Sequence, residues 1–62
     1  MNTQSLPSVP VLRAGALVRP NVEPYTQRRG TLVEQVGAVW AVLLDGDSTP
    51  TDFSASELTV LE

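Results

Sequence analysis

Short apolar runs separated by turn residues dominate the pattern of the chain from residue 15 onward. Such runs are typical of β-strands, which in small proteins are about five residues long and end at Gly, Pro, Asn or Asp. No stretch of the chain repeats its apolar residues with the 3.6-residue period of an amphipathic helix. The pattern therefore predicts an all-β domain with five strands, at 15–19, 30–36, 39–44, 51–53 and 58–61.

The segments between the predicted strands carry the residues that turns require. Residues 21–29 are mostly polar and include Pro24, which predicts a long loop after the first strand. Residues 37–38, Gly-Ala, fit a two-residue hairpin turn. Residues 45–50 are dense in Asp, Gly, Ser and Pro, so the chain is expected to reverse direction there.

One helical turn and an extended arm complete the predicted architecture. Ser54 and Glu57 have the spacing of a capping box, in which each residue satisfies a backbone amide at the other end. Few residues separate this box from the last strand, so it predicts a single helical turn. Residues 1–12 contain Pro7 and Pro10, which exclude a helix and predict an extended N-terminal arm.

Four segments carry a family resemblance. They are GALVR at 15–19, GTLVE at 30–34, WAVLLDG at 40–46, and Phe-x-x-x-Glu-Leu at 53–58. Together with the strand layout, they resemble the SH3-like barrel superfamily, including KOW-type modules and small bacterial SH3-like subunits that dock onto larger complexes. The resemblance implies a five-stranded SH3-like barrel over residues 13–62, which would act as a binding or assembly subunit.

A small barrel needs one compact interior, and the apolar residues of the strands are its expected source. The predicted interior residues are Leu17, Leu32, Trp40 or its neighbours, Phe53, Leu58 and Val60. Gly30 opens the second strand, where the loop re-enters the sheet. It suits a position that needs a positive φ or a close backbone approach.

The third strand departs from the alternation of apolar and polar residues that a half-solvated sheet shows. Its two faces carry Val39, Ala41 and Leu43 on one side and Trp40, Val42 and Leu44 on the other. A strand that is apolar on both faces predicts that something covers the outer one. The cover is either the arm, residues 6–12, or another protein.

This strand and the long loop supply the predicted protein-binding residues. Trp40 is the expected anchor, because buried Trp and Tyr side chains dominate the energetics of interfaces. The other predicted contact residues are Val42, Leu44, Tyr25 and Val22. A polyproline-binding groove is disfavoured, because the loop lacks the acidic cluster and the several aromatic residues of such grooves.

The charge of the chain argues against a strongly basic partner-binding surface. Four arginines and no lysine stand against seven acidic residues, giving a net charge of −3. Nucleic-acid binding depends on cations that neutralise phosphates, so the net charge disfavours it. A KOW-like RNA- or DNA-binding module that uses Arg19, Arg28 and Arg29 is the alternative hypothesis. No apolar run is long enough to span a bilayer, and the first residues do not resemble a secretory signal, so a cytoplasmic location is expected.

The residue types for catalysis and metal binding are few. The sequence has no Cys and no His, which excludes disulfides and the thiolate and imidazole groups of many active sites and metal sites. Residues 45–52 hold three aspartates, but they depart from a calcium loop and are better explained as a hairpin turn. No catalytic residue, metal or cofactor is therefore predicted.

A remote alternative is a subunit of an oligomeric enzyme. The type II dihydrofolate reductases form a pore from SH3-like subunits, and the chain is similar to them at 15–19 and around Trp40. The segment that builds their pore is replaced here by residues 50–53, Pro-Thr-Asp-Phe.

Overall fold

Residues 12–61 are described by the computed structural model, and they form one antiparallel sheet. Its strands are β1 (Leu17–Pro20), β2 (Gly30–Val36), β3 (Val39–Leu44), β4 (Thr51–Ser54) and β5 (Leu58–Val60), with one 3₁₀ turn over Ala55–Glu57. The order across the sheet is β4-β3-β2-β1-β5. The all-β class is thus confirmed, and each strand begins and ends within two residues of its predicted limits.

The sheet is not closed. β4 pairs only with β3 and β5 pairs only with β1, so these two strands form the edges of the sheet within the described residues. Both edge strands are short, and the 3₁₀ turn between them directs the chain from one edge of the sheet to the other. Five antiparallel strands in this arrangement are compatible with a small β-barrel fold.

The 3₁₀ turn is the single helical turn that the capping-box spacing predicts. Ser54 and Glu57 form the box. In it, the backbone N–H of Ser54 donates a hydrogen bond to Oε1 of Glu57 at 2.9 Å. The turn ends at Leu58, whose backbone N–H bonds the carbonyl oxygen of Ala55 and which also begins β5.

The β2–β3 hairpin has the predicted two-residue turn. Val36 and Val39 pair across it, and Gly37 has a φ of +62°. A positive φ at the first turn residue alone is the feature of a type II′ turn, whose twist matches that of the flanking strands. The pairing shifts between Leu32 and Glu34, so a β-bulge interrupts β2.

The core lies on one face of the sheet, called here the inner face. Its buried side chains are Val18, Leu32, Trp40, Val42, Leu44, Phe53 and Leu58. Leu12, Ala16, Val22, Tyr25 and Val60 are partly buried and pack against this cluster. The predictions for Leu32, Trp40, Phe53 and Leu58 are confirmed, and Val60 lies at the margin of the core.

The prediction for Leu17 is wrong. Leu17 is 55% exposed, whereas its neighbour Val18 is fully buried. Strand geometry sends adjacent side chains to opposite faces. Gly30 lies between Val18 and Leu44 in the same cross-strand row, and its missing side chain leaves the interior to these two residues.

Gly30 is required for a close backbone approach and not for a positive φ. A Cβ atom at this position would lie 2.7 Å from the carbonyl oxygen of Leu43 and 2.9 Å from Cγ1 of Val42. Both distances are shorter than any ordinary carbon contact, so the glycine allows β2 and β3 to pack at their observed separation.

Of the predicted N-terminal arm, only Leu12 falls within the described residues. Its side chain is half-buried and contacts the core cluster. The prediction that residues 6–12 cover the outer face concerns residues 6–11 for the most part, and these lie outside the described part of the chain. Across residues 12–61 there is no helix with the length and apolar character that a bilayer crossing needs.

Candidate functional site

The face of the sheet opposite the core, called here the outer face, carries a row of side chains across three strands. Leu17 of β1 pairs with Thr31 of β2, and Thr31 pairs with Leu43 of β3. Leu17 is 55% exposed and Leu43 is 37% exposed. These three residues are called the leucine row from here on. The row has Thr31 in the middle and one exposed leucine on each side of it.

Basic residues lie one step along the strands from the leucine row. Arg19 follows Leu17 by two residues in β1, and Arg29 stands opposite it because Val18 pairs with Gly30. Both arginines are exposed. Asp45 continues this line directly after β3, where its backbone N–H donates to the carbonyl oxygen of Arg29 at 2.8 Å.

Acidic residues lie one step from the leucine row in the other direction. Glu34 of β2 pairs with Ala41 of β3, and Ala41 pairs with Asp52 of β4. Glu34 and Asp52 are exposed, while Ala41 is buried. The outer face therefore carries Arg19, Arg29 and Asp45 on one side of the leucine row, and Glu34 and Asp52 on the other.

The predicted contact residues of the third strand lie on the inner face. Trp40 is 7% exposed, and Val42 and Leu44 are almost completely buried. These three side chains belong to the core and are absent from the exposed surface, so the outer face of β3 is formed by the other set. In that set Val39 is half-buried and Leu43 is exposed.

The predicted loop residues Val22 and Tyr25 are half-buried and pack against the core. The Tyr25 ring meets Phe53 edge to face, with 5.2 Å between ring centroids. The loop folds into turns, because the Tyr25 N–H bonds the Val22 carbonyl and the Arg28 N–H bonds the Tyr25 carbonyl. The loop therefore packs its Val22 and Tyr25 side chains against the core.

Arg28 joins this loop to the turn between β3 and β4. Its Nη2 atom lies 2.9 Å from Oδ1 of Asp47 and 2.8 Å from the carbonyl oxygen of Asp45. Arg28 therefore pairs with an acidic side chain within the chain, whereas Arg19 and Arg29 are exposed and flank the pair formed by Val18 and Gly30.

The aspartate-rich segment that resembles a calcium loop forms a turn. The backbone N–H of Asp47 bonds the carbonyl oxygen of Leu44 at 2.9 Å, and Gly46 has a positive φ. The carboxylate of Asp47 is paired with Arg28. Among residues 12–61, no three ligating side chains cluster as they would around a metal ion.

A shallow groove of about 500 Å³ lies beside β5 and the 3₁₀ turn. Its walls are formed by Leu12, Ala55, Ser56, Leu58, Thr59 and Val60. These walls contain apolar surface and two hydroxyl groups but no ionisable side chain. The groove can bind by packing and hydrogen bonding, but its own side chains supply no acid or base.

No protein-family model matches the chain, and neither a curated protein nor a solved structure matches it. The resemblance to SH3-like barrels therefore depends on the quoted segments and the strand layout alone.

The outer-face site contains residues that the sequence pattern assigned elsewhere or did not single out. Leu17 was expected in the core, and Thr31 and Glu34 carried no predicted role. The signal that could have found them is cross-strand register, since a glycine at residue 30 favours large residues beside it on the inner face. Alternation then places Leu17 and Thr31 outside.

Proposed function

We propose that this chain is a non-catalytic protein-binding or assembly domain that uses the outer face of its sheet. The observation that carries this proposal is the leucine row, in which Leu17 and Leu43 expose apolar surface on the two sides of Thr31. Exposed apolar residues that form a contiguous patch with a polar rim mark interaction sites in monomeric proteins. The charged residues on both sides of the row provide such a rim.

A binding role also agrees with the residue types of the chain. The sequence holds neither His nor Cys, and the groove beside β5 has no ionisable side chain in its walls. Acid–base and nucleophilic catalysis both need such groups in a preorganised pocket. We therefore propose a role without catalysis. A cytoplasmic location remains a prediction of the sequence.

The proposal includes membership of the SH3-like barrel superfamily. Its support is the observed layout, with five antiparallel strands, a long loop after the first and one 3₁₀ turn before the last. Within that superfamily, docking of a small subunit onto another protein is the role that the outer face favours.

Site-specific photo-cross-linking tests the proposed surface. A photo-reactive phenylalanine analogue replaces Leu17 in the full untagged chain, and a matched variant carries it at Ser48, an exposed residue of the β3–β4 turn. We expect position 17 to give a discrete cross-linked product in cells and position 48 to give none. The proposed function is wrong if irradiation at position 17 yields no product above the level at position 48.

Nucleic-acid binding is the second candidate, and the adjacent exposed arginines Arg19 and Arg29 are the observation that favours it. The net charge of −3 and the pairing of Arg28 with Asp47 weaken it. Fluorescence anisotropy with single-stranded and duplex oligonucleotides at low salt distinguishes the two. Binding that falls steeply with salt and is lost in Arg29→Ala would replace the protein-binding proposal by a KOW-like one.

A further inference from the structure

We propose that the outer face binds a second copy of this chain, related to the first by a two-fold axis parallel to the leucine row. This inference rests on the proposed function, because it assigns the partner of the same surface. A two-fold interface uses one patch twice, so the patch must be complementary to itself. The apolar and charged residues of this face must therefore match one another across one line.

The leucine row is the line about which this face is self-complementary. An axis running along the row brings Leu17, Thr31 and Leu43 of one copy against the same three residues of the other. The exposed leucines then lose contact with water on both copies. Every residue on one side of the row in the first copy meets a residue from the other side of the row in the second copy.

The charges on the two sides of the row have opposite signs on the central strand. Arg29 comes directly before β2 and Glu34 belongs to it, so the two lie on opposite sides of Thr31 along the chain. The rotation therefore sets Arg29 of each copy over Glu34 of the other, and this pair occurs twice. Arg19 follows Val18, which pairs with Gly30, so Arg19 lies near Arg29 on the same side of the row.

The remaining charges on the face are Asp45 and Asp52, and the rotation does not pair them. Asp45 meets the position of Ala41, an uncharged and buried residue, while Asp52 lies one strand further towards the edge. Both aspartates are exposed and remain at the rim, where water screens them. The centre of the interface is thus apolar, and the charged residues next to it, Arg29 and Glu34, pair between the two copies.

An unrelated partner would not require this internal symmetry. A surface that binds a different protein needs to match that protein only. The charges on the two sides of its apolar row then have no need to be opposite in sign. The chain also has a net charge of −3, so two copies repel each other as whole molecules. A local arrangement that brings opposite charges together is what association of two copies requires.

Charge reversal and mixing test this arrangement. Arg29→Glu places two glutamates against each other at both symmetric positions, and Glu34→Arg does the same with two arginines. An equimolar mixture of the two variants forms a heterodimer in which both positions pair a glutamate with an arginine. Arg13→Glu and Glu23→Arg are the matched controls, since they make the same charge changes at exposed positions outside the five strands.

Analytical ultracentrifugation of the full untagged chain measures the outcome at low salt. We expect a dimer for the unmodified chain and a self-association Kd raised about tenfold or more in each face variant. We expect the mixture to return to within a few-fold of the original Kd, with both controls unchanged. Circular dichroism confirms that each variant is folded, and the mixture itself is informative because rescue requires two folded variants.

Two results overturn the inference. One is a monomeric chain at concentrations up to about 1 mM. The other is weakened association in both face variants without recovery on mixing. A monomer that still cross-links to a different protein through position 17 keeps the proposed function and removes only the second copy. A monomer that gives no cross-linked product at position 17 removes both.

Discussion

Gly30 shows how a single residue sets the separation of two strands. A Cβ atom there would meet the Leu43 carbonyl at 2.7 Å and Val42 Cγ1 at 2.9 Å. We expect Gly30→Ala to lower the free energy of unfolding by about 1–3 kcal/mol, the usual cost of overpacking a core. Urea unfolding followed by tryptophan fluorescence measures this change.

A double-mutant cycle identifies the clash. Val42→Ala removes one of the atoms that the new methyl group meets, so the double variant Gly30→Ala/Val42→Ala should lose less stability than the two single losses added together. Strict additivity would show that the alanine methyl does not press against Val42.

The choice between Leu17 and Val18 illustrates what the residue pattern can reveal. Both side chains are apolar, so composition does not determine which face of a four-residue strand each one takes, and the sequence pattern predicts Leu17 in the core. The structure reverses this choice through the row that contains Gly30. Arg28 gives a second case, because its partner Asp47 is 19 residues away and no local pattern connects them.

At the scale of elements, the 3₁₀ turn depends on one carboxylate. The Ser54 N–H donates to Glu57 Oε1 at 2.9 Å, and the turn leads directly from β4 into β5. We expect Glu57→Ala to lower the free energy of unfolding by about 1 kcal/mol, because the amide loses its acceptor. Thermal unfolding by circular dichroism checks this value.

Two further variants test whether the stability of that turn comes from the hydrogen bond between Ser54 and Glu57 or from the negative charge of Glu57. Glu57→Gln keeps an oxygen that can accept from Ser54 and should retain most of the stability. Ser56→Ala alters an exposed residue of the same turn and should change it by less than about 0.5 kcal/mol. Equal losses in Glu57→Ala and Glu57→Gln would contradict the capping account.

The strands could be predicted because their ends are fixed by local chemistry. Gly37 at the hairpin, the Asp-Gly turn after β3 and the Ser54–Glu57 box each act within a few residues. The open sheet could not be predicted from the sequence. Closure depends on whether the two edge strands, β4 and β5, form hydrogen bonds with each other, and no local residue pattern determines this. The half-buried state of Tyr25 likewise depends on Phe53, which lies on a distant strand.

For the whole molecule, size limits how much surface the fold can hide. A domain of this length buries only about 60% of the surface that its unfolded chain exposes. A core of this size contributes about 3–5 kcal/mol to the free energy of unfolding. Truncating one buried tryptophan to alanine lowers that free energy by about the same amount. The inner and outer faces should therefore respond very differently to substitution, and Trp40→Ala is expected to unfold the chain.

Substitution on the outer face should instead change association while the fold persists. If two copies bind through the leucine row, the melting temperature of the unmodified chain rises with protein concentration, because dimerisation stabilises only the folded state. Leu17→Lys puts a charge onto the row, and we expect it to abolish this concentration dependence and to leave the circular dichroism spectrum unchanged. Val36→Lys is the matched control, since Val36 is 57% exposed but lies beyond Glu34 at the hairpin end of the sheet. A melting temperature of the unmodified chain that is independent of concentration, or one that Leu17→Lys and Val36→Lys alter equally, would show that the row does not hold two copies together.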